Sequence, residues 1–513
     1  MLDVDGLASD SQPLHVRIEG RIRRAILDGN LPPGSRLPAT RVLAGDLKVS
    51  RHTVETAFGQ LETEGFLVRR RGSGTFVAGA VPERERPPLG LGRGHGGKGG
   101  DGGHGRARQD VAPAPLSRRG AALSQFPGLR DEAPGTTFTP SIPSLEWFPR
   151  QTWERLMSRA IRRPGLEHWV YGACAGLPAL REAIAAHVGA TRAVSCSADQ
   201  VLVLTSAHQA VDLVARVLLD EGDVAWVEDP CYPTAPRLLR AAGARLAGIS
   251  VDAEGFDVAM AERTHPDARL AYVTPSHQYP TGALMSLARR LALLDWARRE
   301  NGWILEDDYD GDLRYAGRPL AALQALDTAG RVIYIGTFCK MTFPSLRLAF
   351  LVAPPSLVDA FIGAKHTLDA HTAKHTQAAL ADFIQEGHLA THLRRSIGEY
   401  DERRLALLAA LETLSDELTV GPADAGLHLS VYLRRPLDAR QISTACRKSA
   451  VVAGALTPYY VGTPRQGFVL GWGCAPPSRT TAATCILGRA IQEAAASAPG
   501  GAGRTTRPAV PGS

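Results

Sequence analysis

The sequence has no uninterrupted apolar run of about 18 residues, so it gives no sign of a membrane-spanning helix. Its first thirty residues carry acidic side chains early and lack a central apolar stretch, which argues against a secretory signal. The seven cysteines are scattered, odd in number and without a CxxC pair, which indicates a reduced, cytoplasmic compartment and gives no sign of a metal site. With 44% hydrophobic residues among 513, the chain should fold as several globular domains of roughly 100–200 residues each.

Positive charge is concentrated near the N-terminus. Residues 13–80 carry 11 Lys/Arg against 6 Asp/Glu, whereas residues 135–513 carry 38 against 37. A small basic unit on a nearly neutral body is typical of a protein that binds nucleic acid. On charge alone, a basic surface that merely keeps the protein soluble is an equally good interpretation.

The basic region has the pattern of three helices and a hairpin. Apolar residues recur every four positions from Leu14 to Ile26, which predicts an amphipathic helix. A second short helix should follow Pro38, and a third should begin after the N-cap Ser50. Two β-prone runs flank the glycine-containing turn at 71–74. These elements predict a winged helix-turn-helix, which is an α+β fold.

The third helix of such a fold presents its first turn to DNA. Arg51 offers the two parallel donors that suit guanine, and Thr53 can reach a phosphate or a base. Arg41, near the start of the preceding helix, can contact a phosphate or a guanine, and Gly74 lets the wing backbone approach the minor groove closely. Each feature is weak alone, because Ser50-Arg51 can equally be only a capped helix start.

The ordered series of motifs across residues 13–78 is far more specific. It comprises Pro13-Leu14, Asp28-Gly29-Asn30-Leu31-Pro32-Pro33-Gly34, Leu37-Pro38, Leu43-Ala44, Val49-Ser50-Arg51, Thr53-Val54, Gly65-Phe66-Leu67 and Gly72-Ser73-Gly74-Thr75-Phe76-Val77. Together these motifs resemble the GntR family of bacterial regulators. The resemblance implies that DNA is contacted by Arg41, Ser50, Arg51, Thr53 and Gly74.

The next segment, 81–134, is predicted to be a linker. Eleven glycines and five prolines fall within 81–120, with few bulky apolar side chains, so no packed core is expected there. Its arginines can touch DNA, although a solvated tether is the simpler interpretation. The final residues, 496–513, are rich in Ala, Gly, Pro and Thr and are predicted to be disordered, and 1–12 form an N-terminal tail.

From about residue 137, short apolar runs alternate with amphipathic stretches. The runs lie at 200–204, 224–227, 270–273, 303–305 and 332–335. This alternation predicts an α/β domain with a largely parallel central sheet. Because ligands bind at the carboxyl ends of such strands, the chemistry should lie just after each run.

Four of these strand ends carry residues suited to pyridoxal 5′-phosphate (PLP). Lys340 can form a Schiff base with an aldehyde, and Arg347 can pair with a phosphate. Asp307 can keep a pyridine nitrogen protonated, while Tyr309 can donate to the ring's phenolic oxygen. The turn at 205–209 offers backbone N–H groups for a phosphate. A fourth strand end carries the aromatic ring of Tyr232, which can stack on the cofactor ring. Lys340 can also be an ordinary surface lysine, and the acidic residues beside Asp307 can be a solvated strand end. The order of the four features along the chain nevertheless favours a cofactor site.

Residues 135–495 resemble fold-type I, class I/II aminotransferases, and most closely the aminotransferase-like half of the MocR subfamily of GntR regulators. The segments that carry the resemblance are Trp147-Phe148-Pro149, Tyr171 to Gly176, Leu180-Arg181, Thr274 to Gly282, Glu306 to Asp310 and Gly336-Thr337-Phe338. The resemblance implies that Lys340 binds the cofactor as an aldimine, that Asp307 pairs with the pyridine nitrogen and that Tyr309 bonds O3′.

The resemblance also implies the remaining members of the site. Further cofactor-binding residues are Tyr232, Ser206, Ala207, His208, Thr337, Cys339, Arg347 and His277. Tyr171 resembles a tyrosine that reaches the phosphate of a neighbouring subunit, which implies a dimer with swapped, head-to-tail subunits. Arg465 is a candidate for binding a ligand carboxylate, and a surface role is nearly as well supported.

Three positions depart from the family pattern. Cys339 replaces a serine before the lysine and so removes one hydroxyl from the phosphate site. Ser206 replaces a common glycine and should restrict its turn. Ala173-Cys174 stand where Asp-Pro is frequent. These changes leave the Schiff base and the pyridine partner in place.

The sequence therefore predicts a PLP-dependent transcriptional regulator. Its winged helix would bind promoter DNA, and an amino compound or PLP itself would be sensed at Lys340 through an internal or external aldimine. Two alternatives stay open: a working aminotransferase with a secondary DNA-binding domain, and PLP as a structural cofactor only.

Overall fold

A computed structural model describes residues 12–79, 115–124, 137–315 and 320–497. The chain divides into two compact units, residues 1–111 and 112–513. In these described ranges, no helix combines the length and apolar character needed to cross a membrane. The predicted tails, apart from their innermost residues, and most of the predicted linker lie outside the described residues.

The first unit has the predicted order of elements. It consists of α1 (Leu14–Leu27), α2 (Thr40–Asp46), α3 (Arg51–Thr63), β1 (Leu67–Arg70) and β2 (Gly74–Val77). The two strands pair antiparallel, with Leu67 opposite Val77. The winged helix-turn-helix prediction is confirmed by this order.

The core of the first unit is formed by the apolar faces of its helices. Ile18, Ile22 and Ile26 of α1 pack with the α3 side chains and with the hairpin. Leu14, which the four-residue spacing placed on the same stripe, is 43% exposed because it begins the helix beyond the edge of this core. Phe58 of α3 is 1% exposed, so it supplies the largest buried ring of this core.

The second unit contains the remaining helices. They are α4 (Arg118–Ser124), α5 (Arg150–Ile161), α6 (Pro178–Arg192), α7 (Ala207–Leu218), α8 (Thr234–Ala241), α9 (Val258–Thr264), α10 (Leu287–Arg299), α11 (Val358–Asp369), α12 (Lys374–Gln385), α13 (His388–Glu412), α14 (Ala439–Arg447) and α15 (Pro477–Ser497).

Helix α4 corrects the prediction of an irregular linker over 81–134. It begins where the hydroxyl of Ser117 accepts a hydrogen bond from the N–H of Gly120, and it packs against α8. Its Ala-Ala-Leu segment favours a helix, so the glycine-rich composition of 81–114 does not extend through this part of the segment. At the other end, α15 continues to Ser497, two residues into the predicted disordered tail.

The larger sheet of the second unit has eight strands. They are β3 (Val201–Leu204), β4 (Val224–Asp229), β5 (Arg245–Asp252), β6 (Gly255–Phe256), β7 (Ala268–Val273), β8 (Trp303–Asp308), β9 (Val332–Thr337) and β10 (Ala349–Val352), in the spatial order β3-β10-β9-β8-β7-β4-β5-β6. The neighbours β5, β4, β7, β8 and β9 are parallel, and β10 is antiparallel to both β9 and β3. All five predicted apolar runs are therefore strands, and their carboxyl ends meet at one edge.

A smaller sheet has four antiparallel strands. They are β11 (Leu418–Val420), β12 (His428–Leu433), β13 (Gly454–Ala455) and β14 (Gly467–Gly471), in the order β11-β12-β14-β13. Its apolar side chains and those of α13 and α15 belong to the same core as α5, α6 and α12. The small sheet therefore packs continuously with one side of the larger one.

We expect Phe58→Ala to destabilise the winged helix by about 3–5 kcal/mol, because it removes a ring that fills the centre of a small core. Differential scanning calorimetry of the full chain should show one unfolding transition moving to lower temperature. His52→Ala, an exposed change on the same helix, should move it little. Equal shifts in the two variants would contradict this account of the core.

Candidate functional site

Lys340 lies in the turn that joins β9 to β10. Its Nζ donates a hydrogen bond of 2.9 Å to the backbone carbonyl of Ser141. Burial lowers the pKa of Lys340 below its ordinary value, although nearby carboxylates act in the opposite direction. A lysine with a lowered pKa has a larger fraction of neutral amine, which is the form that attacks an aldehyde.

Asp307 is the last residue but one of β8 and is 6% exposed. One carboxylate oxygen, Oδ2, accepts a 2.7 Å hydrogen bond from the hydroxyl of Tyr272. The other, Oδ1, is buried and has no hydrogen-bond partner among the described residues. Burial raises the pKa of Asp307 to about 6. A protonated ring nitrogen would give this oxygen a donor and favour its charged form, so the site fits a pyridinium group.

Tyr309 follows the same strand end and contacts His277. Its hydroxyl lies 3.0 Å from the backbone carbonyl of His277, to which it can donate, and 3.0 Å from Nδ1 of the same residue. Burial raises the pKa of Tyr309 well above its ordinary value. The phenol therefore keeps its proton, as a donor to a cofactor oxygen must.

The N-terminus of α7 forms the predicted phosphate cradle. Ser206 caps the helix by accepting a 3.2 Å hydrogen bond from the N–H of Gln209, and Ala207 and His208 form the first turn. The backbone of Ser206 is extended, with φ of −170°, so a serine replaces the usual glycine here without strain. The predicted restriction of this turn is therefore not seen.

Cationic groups converge on the same helix end. Burial lowers the pKa of His208, and the nearby charges of Arg347 and Lys340 lower it further. Arg347 adopts a left-handed backbone conformation with φ of 52°. Positive groups around a helix N-terminus bind an anion well, so the cluster fits a phosphate.

Tyr232 follows β4 and meets the cradle. Its hydroxyl and Nε2 of His208 are 2.7 Å apart, and the two rings stack with centroids 5.7 Å apart. Thr337 is the last residue of β9, and Cys339 directly precedes Lys340. The Thr337 hydroxyl accepts a hydrogen bond from the N–H of Cys339. The Cys339 thiol faces the carbonyl of Leu348, 3.9 Å away.

Two predicted site residues lie apart from this group. Tyr171 is 89% exposed and contacts the edge of the His371 ring. Arg465 is exposed and lies over the ring of Tyr432, 4.1 Å from its centroid. Among the described contacts, none joins either residue to Lys340, so both roles stay predictions.

Several contacts of the site have no signal in the sequence. Asp308, beside Asp307, forms a 2.6 Å ion pair with Arg192, and both side chains are 3% exposed. The Arg192 guanidinium also donates to Ser276, and Tyr334 donates to Asp308. The acidic strand end is therefore buried rather than solvated, which sequence spacing could not reveal because Arg192 lies 116 positions away.

In the winged helix, Ser50 is the predicted N-cap of α3. Its hydroxyl accepts a 3.1 Å hydrogen bond from the N–H of Thr53 and lies 2.7 Å from the Thr53 hydroxyl. Arg41 and Arg51 are exposed, and Arg51 forms a 2.9 Å ion pair with Glu55. Gly74 has φ of +110°, and a Cβ there would lie 3.1 Å from the Arg36 side chain. A cavity between these elements is lined by Arg36, Thr40, Arg51, Glu55, Arg69 and Gly74.

Family comparisons match both units. The family described as "Aminotransferase class I and II" matches residues 153–469. The family described as "Bacterial regulatory proteins, gntR family" matches residues 14–77. The two matches fall on the unit that contains Lys340 and on the winged helix, respectively.

Individual relatives share this combination. The probable rhizopine catabolism regulatory protein MocR of Rhizobium meliloti is 39% identical over 91% of each chain. The HTH-type pyridoxine biosynthesis transcriptional regulator PdxR of Corynebacterium glutamicum is 30% identical over 88% of this chain and 90% of the relative. Among solved structures, the α-aminoadipate aminotransferase LysN of Thermus thermophilus is 27% identical, with a TM-score of 0.69 over 74% of this chain and 98% of that one.

We expect Asp307→Asn to stabilise the cofactor-free protein above pH 6 and to have little effect near pH 4. The folded-state pKa of about 6 lies above the ordinary value, so folding keeps a proton on Asp307 that the unfolded chain has lost. The free energy of unfolding of the wild type therefore falls as the pH rises from about 4 to about 6. Asparagine does not ionise, so the variant avoids this loss. Thermal denaturation at both pH values checks it, with the exposed Asp416→Asn as a control. A similar pH-dependent gain in the control would contradict the assignment.

Proposed function

This chain belongs to the GntR family of bacterial regulators, in its MocR-type branch with an aminotransferase class I and II domain, and we propose that it senses an amine or PLP at Lys340. It is a DNA-binding transcriptional regulator, and its aminotransferase fold implies PLP as the cofactor. The observation that carries the proposed sensing site is the unpartnered Oδ1 of Asp307, buried in the same site as a lysine of lowered pKa.

The proposed DNA surface is the first turn of α3 with the wing. Arg51 would contact a guanine and Arg41 a phosphate, since both guanidinium groups are exposed. Ser50 and Thr53 bond to each other, so we propose that they orient the first turn of α3 and contact the DNA backbone from there. Gly74 would let the wing backbone approach the DNA, because its positive φ excludes most side chains.

The proposed cofactor site uses charge of opposite sign at its two ends. Asp307 would hold the protonated ring nitrogen, Tyr309 would donate to the phenolic oxygen, and Tyr232 would stack on the ring. The phosphate would be bound at the opposite end by Ser206, Ala207, His208, Thr337, Cys339 and Arg347. When bound, PLP supplies an aldehyde that combines reversibly with amines.

Lys340 is the group through which ligand binding would be sensed. The structure holds its Nζ against the carbonyl of Ser141, 2.9 Å away. An effector amine would compete with Lys340 for the aldehyde of PLP. The outcome of this competition would decide whether the Lys340 amine is free to bond the Ser141 carbonyl and to carry its positive charge. A ligand shifts a conformational equilibrium only by such differential contacts. His277 would support the site by fixing Tyr309, and Arg465 would bind a carboxylate of the effector.

We further propose a homodimer with subunits exchanged head to tail. The support is Tyr171, whose 89% exposure suits a side chain that reaches the phosphate of a second copy. Two winged helices would then bind repeated or palindromic half-sites of promoter DNA. We therefore propose that the protein acts in the bacterial cytoplasm, on the nucleoid when it is bound to DNA.

Two other functions are less well supported. The same lysine, aspartate and tyrosine would serve an aminotransferase, but the relatives that span both units are named as regulators. Formation of a keto acid from an amino acid by the purified protein would reveal turnover. If PLP is only structural, amines will leave DNA binding unchanged.

We expect Lys340→Ala to abolish the visible absorbance of lysine-bound PLP while leaving specific DNA binding in place. The reason is that only the amine of Lys340 would hold the aldehyde, whereas the DNA surface is in the other unit. A gel shift on DNA upstream of the protein's own gene and its divergent neighbour should respond to PLP in the wild type only. An equal response in the variant would contradict sensing at Lys340, and absence of specific binding would exclude these promoters.

We expect Arg51→Ala to weaken promoter binding by about 1–3 kcal/mol, which is roughly 5- to 150-fold, because a bidentate guanine contact is lost. Fluorescence anisotropy at one fixed salt concentration measures the effect. Arg479→Ala, an exposed change on α15, should bind like the wild type. If the Arg51 variant and the wild type bind the promoter with equal affinity, the proposed contact of Arg51 with DNA is wrong.

A further inference from the structure

Among the lysines that the structure describes, Lys365 of α11 is the one that is fully buried, with 1% of its surface exposed. A buried ammonium group is tolerated only when charged or polar partners replace the water that it has lost. Its Nζ donates to Oδ2 of Asp369 at 3.3 Å and to the backbone carbonyl of Ala370 at 3.2 Å. None of these groups belongs to the proposed cofactor site or to the proposed DNA surface, so the burial of this charge needs another explanation.

Asp369 connects this lysine to helix α7. The oxygen that bonds Lys365, Oδ2, also accepts a hydrogen bond from the side-chain amide of Gln209. The carboxylate therefore bonds a buried cation on one side and the first turn of α7 on the other. Because Lys365 balances its charge, Asp369 can hold Gln209 without adding a net negative charge to a helix end that has to bind an anion.

Gln209 fixes the turn that precedes α7. Its Oε1 accepts hydrogen bonds from the N–H of Thr205 at 2.8 Å and from the Thr205 hydroxyl at 3.0 Å. Only one orientation of the amide suits its partners, because Asp369 requires a donor and the Thr205 N–H requires an acceptor. An α-helix begins with N–H groups that have no partner within the helix. At α7 the Ser206 hydroxyl binds that of Gln209, so those of the preceding residues stay available to an anion.

The chain that follows α11 also anchors strand β3, on the other side of this turn. The hydroxyl of Thr372 donates to the carbonyl of Val203 at 3.3 Å. Residues 369–372 therefore hold the turn both at β3 and at α7. Ala370, within them, has φ of 56°, which is unfavourable for a residue with a side chain, and the hydrogen bond from Lys365 to its carbonyl stabilises this backbone.

We propose that Lys365 and Asp369 are positioning residues for the phosphate cradle at the start of α7, and that they act through Gln209. Their role rests on the proposed cofactor site, which puts a phosphate at this helix end. Lys365 neutralises the carboxylate, the carboxylate fixes the Gln209 amide, and the amide fixes the backbone whose N–H groups would meet the phosphate. Donors that are already in place bind an anion more strongly than donors that must first be ordered. Loss of Lys365 would leave a carboxylate without its counter-charge beside the anion site, so charge and geometry would both oppose the phosphate.

Two ligands without an aldehyde test this role independently of Lys340. They are 4-deoxypyridoxine 5′-phosphate and 4-deoxypyridoxine, which differ only in the phosphate. Their dissociation constants for the cofactor-free full chain are measured by isothermal calorimetry, the weaker ligand by competition with the stronger. We expect Lys365→Met to weaken binding of the phosphorylated ligand at least about tenfold and that of the other less than about twofold, because only the cradle is disturbed. Lys448→Met, which changes an exposed lysine of the same unit, should bind both ligands like the wild type and is the matched control.

Two further variants separate charge from geometry. Lys365→Met combined with Asp369→Asn removes both charges but keeps an oxygen that can accept from Gln209, so it should recover most of the affinity for the phosphorylated ligand. Gln209→Leu changes a less buried position and should weaken the phosphorylated ligand selectively, even if Lys365→Met does not fold. Circular dichroism shows which variants are folded.

Selective loss of the phosphorylated ligand in these variants supports the proposal, even if the wild type lacks the absorbance of lysine-bound PLP, a result that would contradict only sensing at Lys340. If folded Lys365→Met or Gln209→Leu protein binds the phosphorylated ligand like the wild type, or loses both ligands equally, the positioning role is wrong. A wild type that binds neither ligand would overturn it together with the proposed cofactor site.

Discussion

The site depends on burying four carboxylates at one end of strand β8. They are Glu306, Asp307, Asp308 and Asp310, and none is more than 8% exposed. Like charges can be buried together only if each finds donors. Arg192 pairs with Asp308, His277 pairs with Asp310, and two backbone N–H groups bind Glu306. Among these four, Asp307 alone keeps a buried oxygen without a partner in the described residues. The partners of Glu306, Asp308 and Asp310 thus leave Asp307 as the carboxylate that can bind a ligand.

The available carboxylate and the cationic helix end give the site an electrostatic direction. Asp307 belongs to the acidic end of β8 and His208 to the first turn of α7, and Lys340 is close enough to both to lower the pKa of each. A ligand with a protonated ring nitrogen and a phosphate matches this direction. Because burial rather than a neighbouring charge dominates the pKa shift of Lys340, its amine stays reactive beside acidic groups.

Local patterns predicted most of the fold, and distant contacts were not predictable. The strands and the helices of the winged helix follow from apolar spacing and from caps such as Ser50, which act within a few residues. Lys340, Asp307 and Tyr309 could be proposed because each follows a strand end. Arg192, Ser141 and His428 contribute through chain segments more than one hundred residues away, so no local pattern indicates them. Leu14 belongs to the predicted helix but is 43% exposed, because periodicity does not show where a small core ends.

The contact of Lys340 with Ser141 connects the ligand site to the segment at 137–141. Ser141 belongs to a segment that is bonded to the small sheet, since the N–H of Gly471 donates to Phe138 and that of Val452 donates to Thr137. An enzyme requires only that Lys340 reach its cofactor, but a sensor also requires that occupancy change a contact elsewhere. The hydrogen bond to Ser141 is a contact of this kind, because it joins Lys340 to a segment that is bonded to the small sheet.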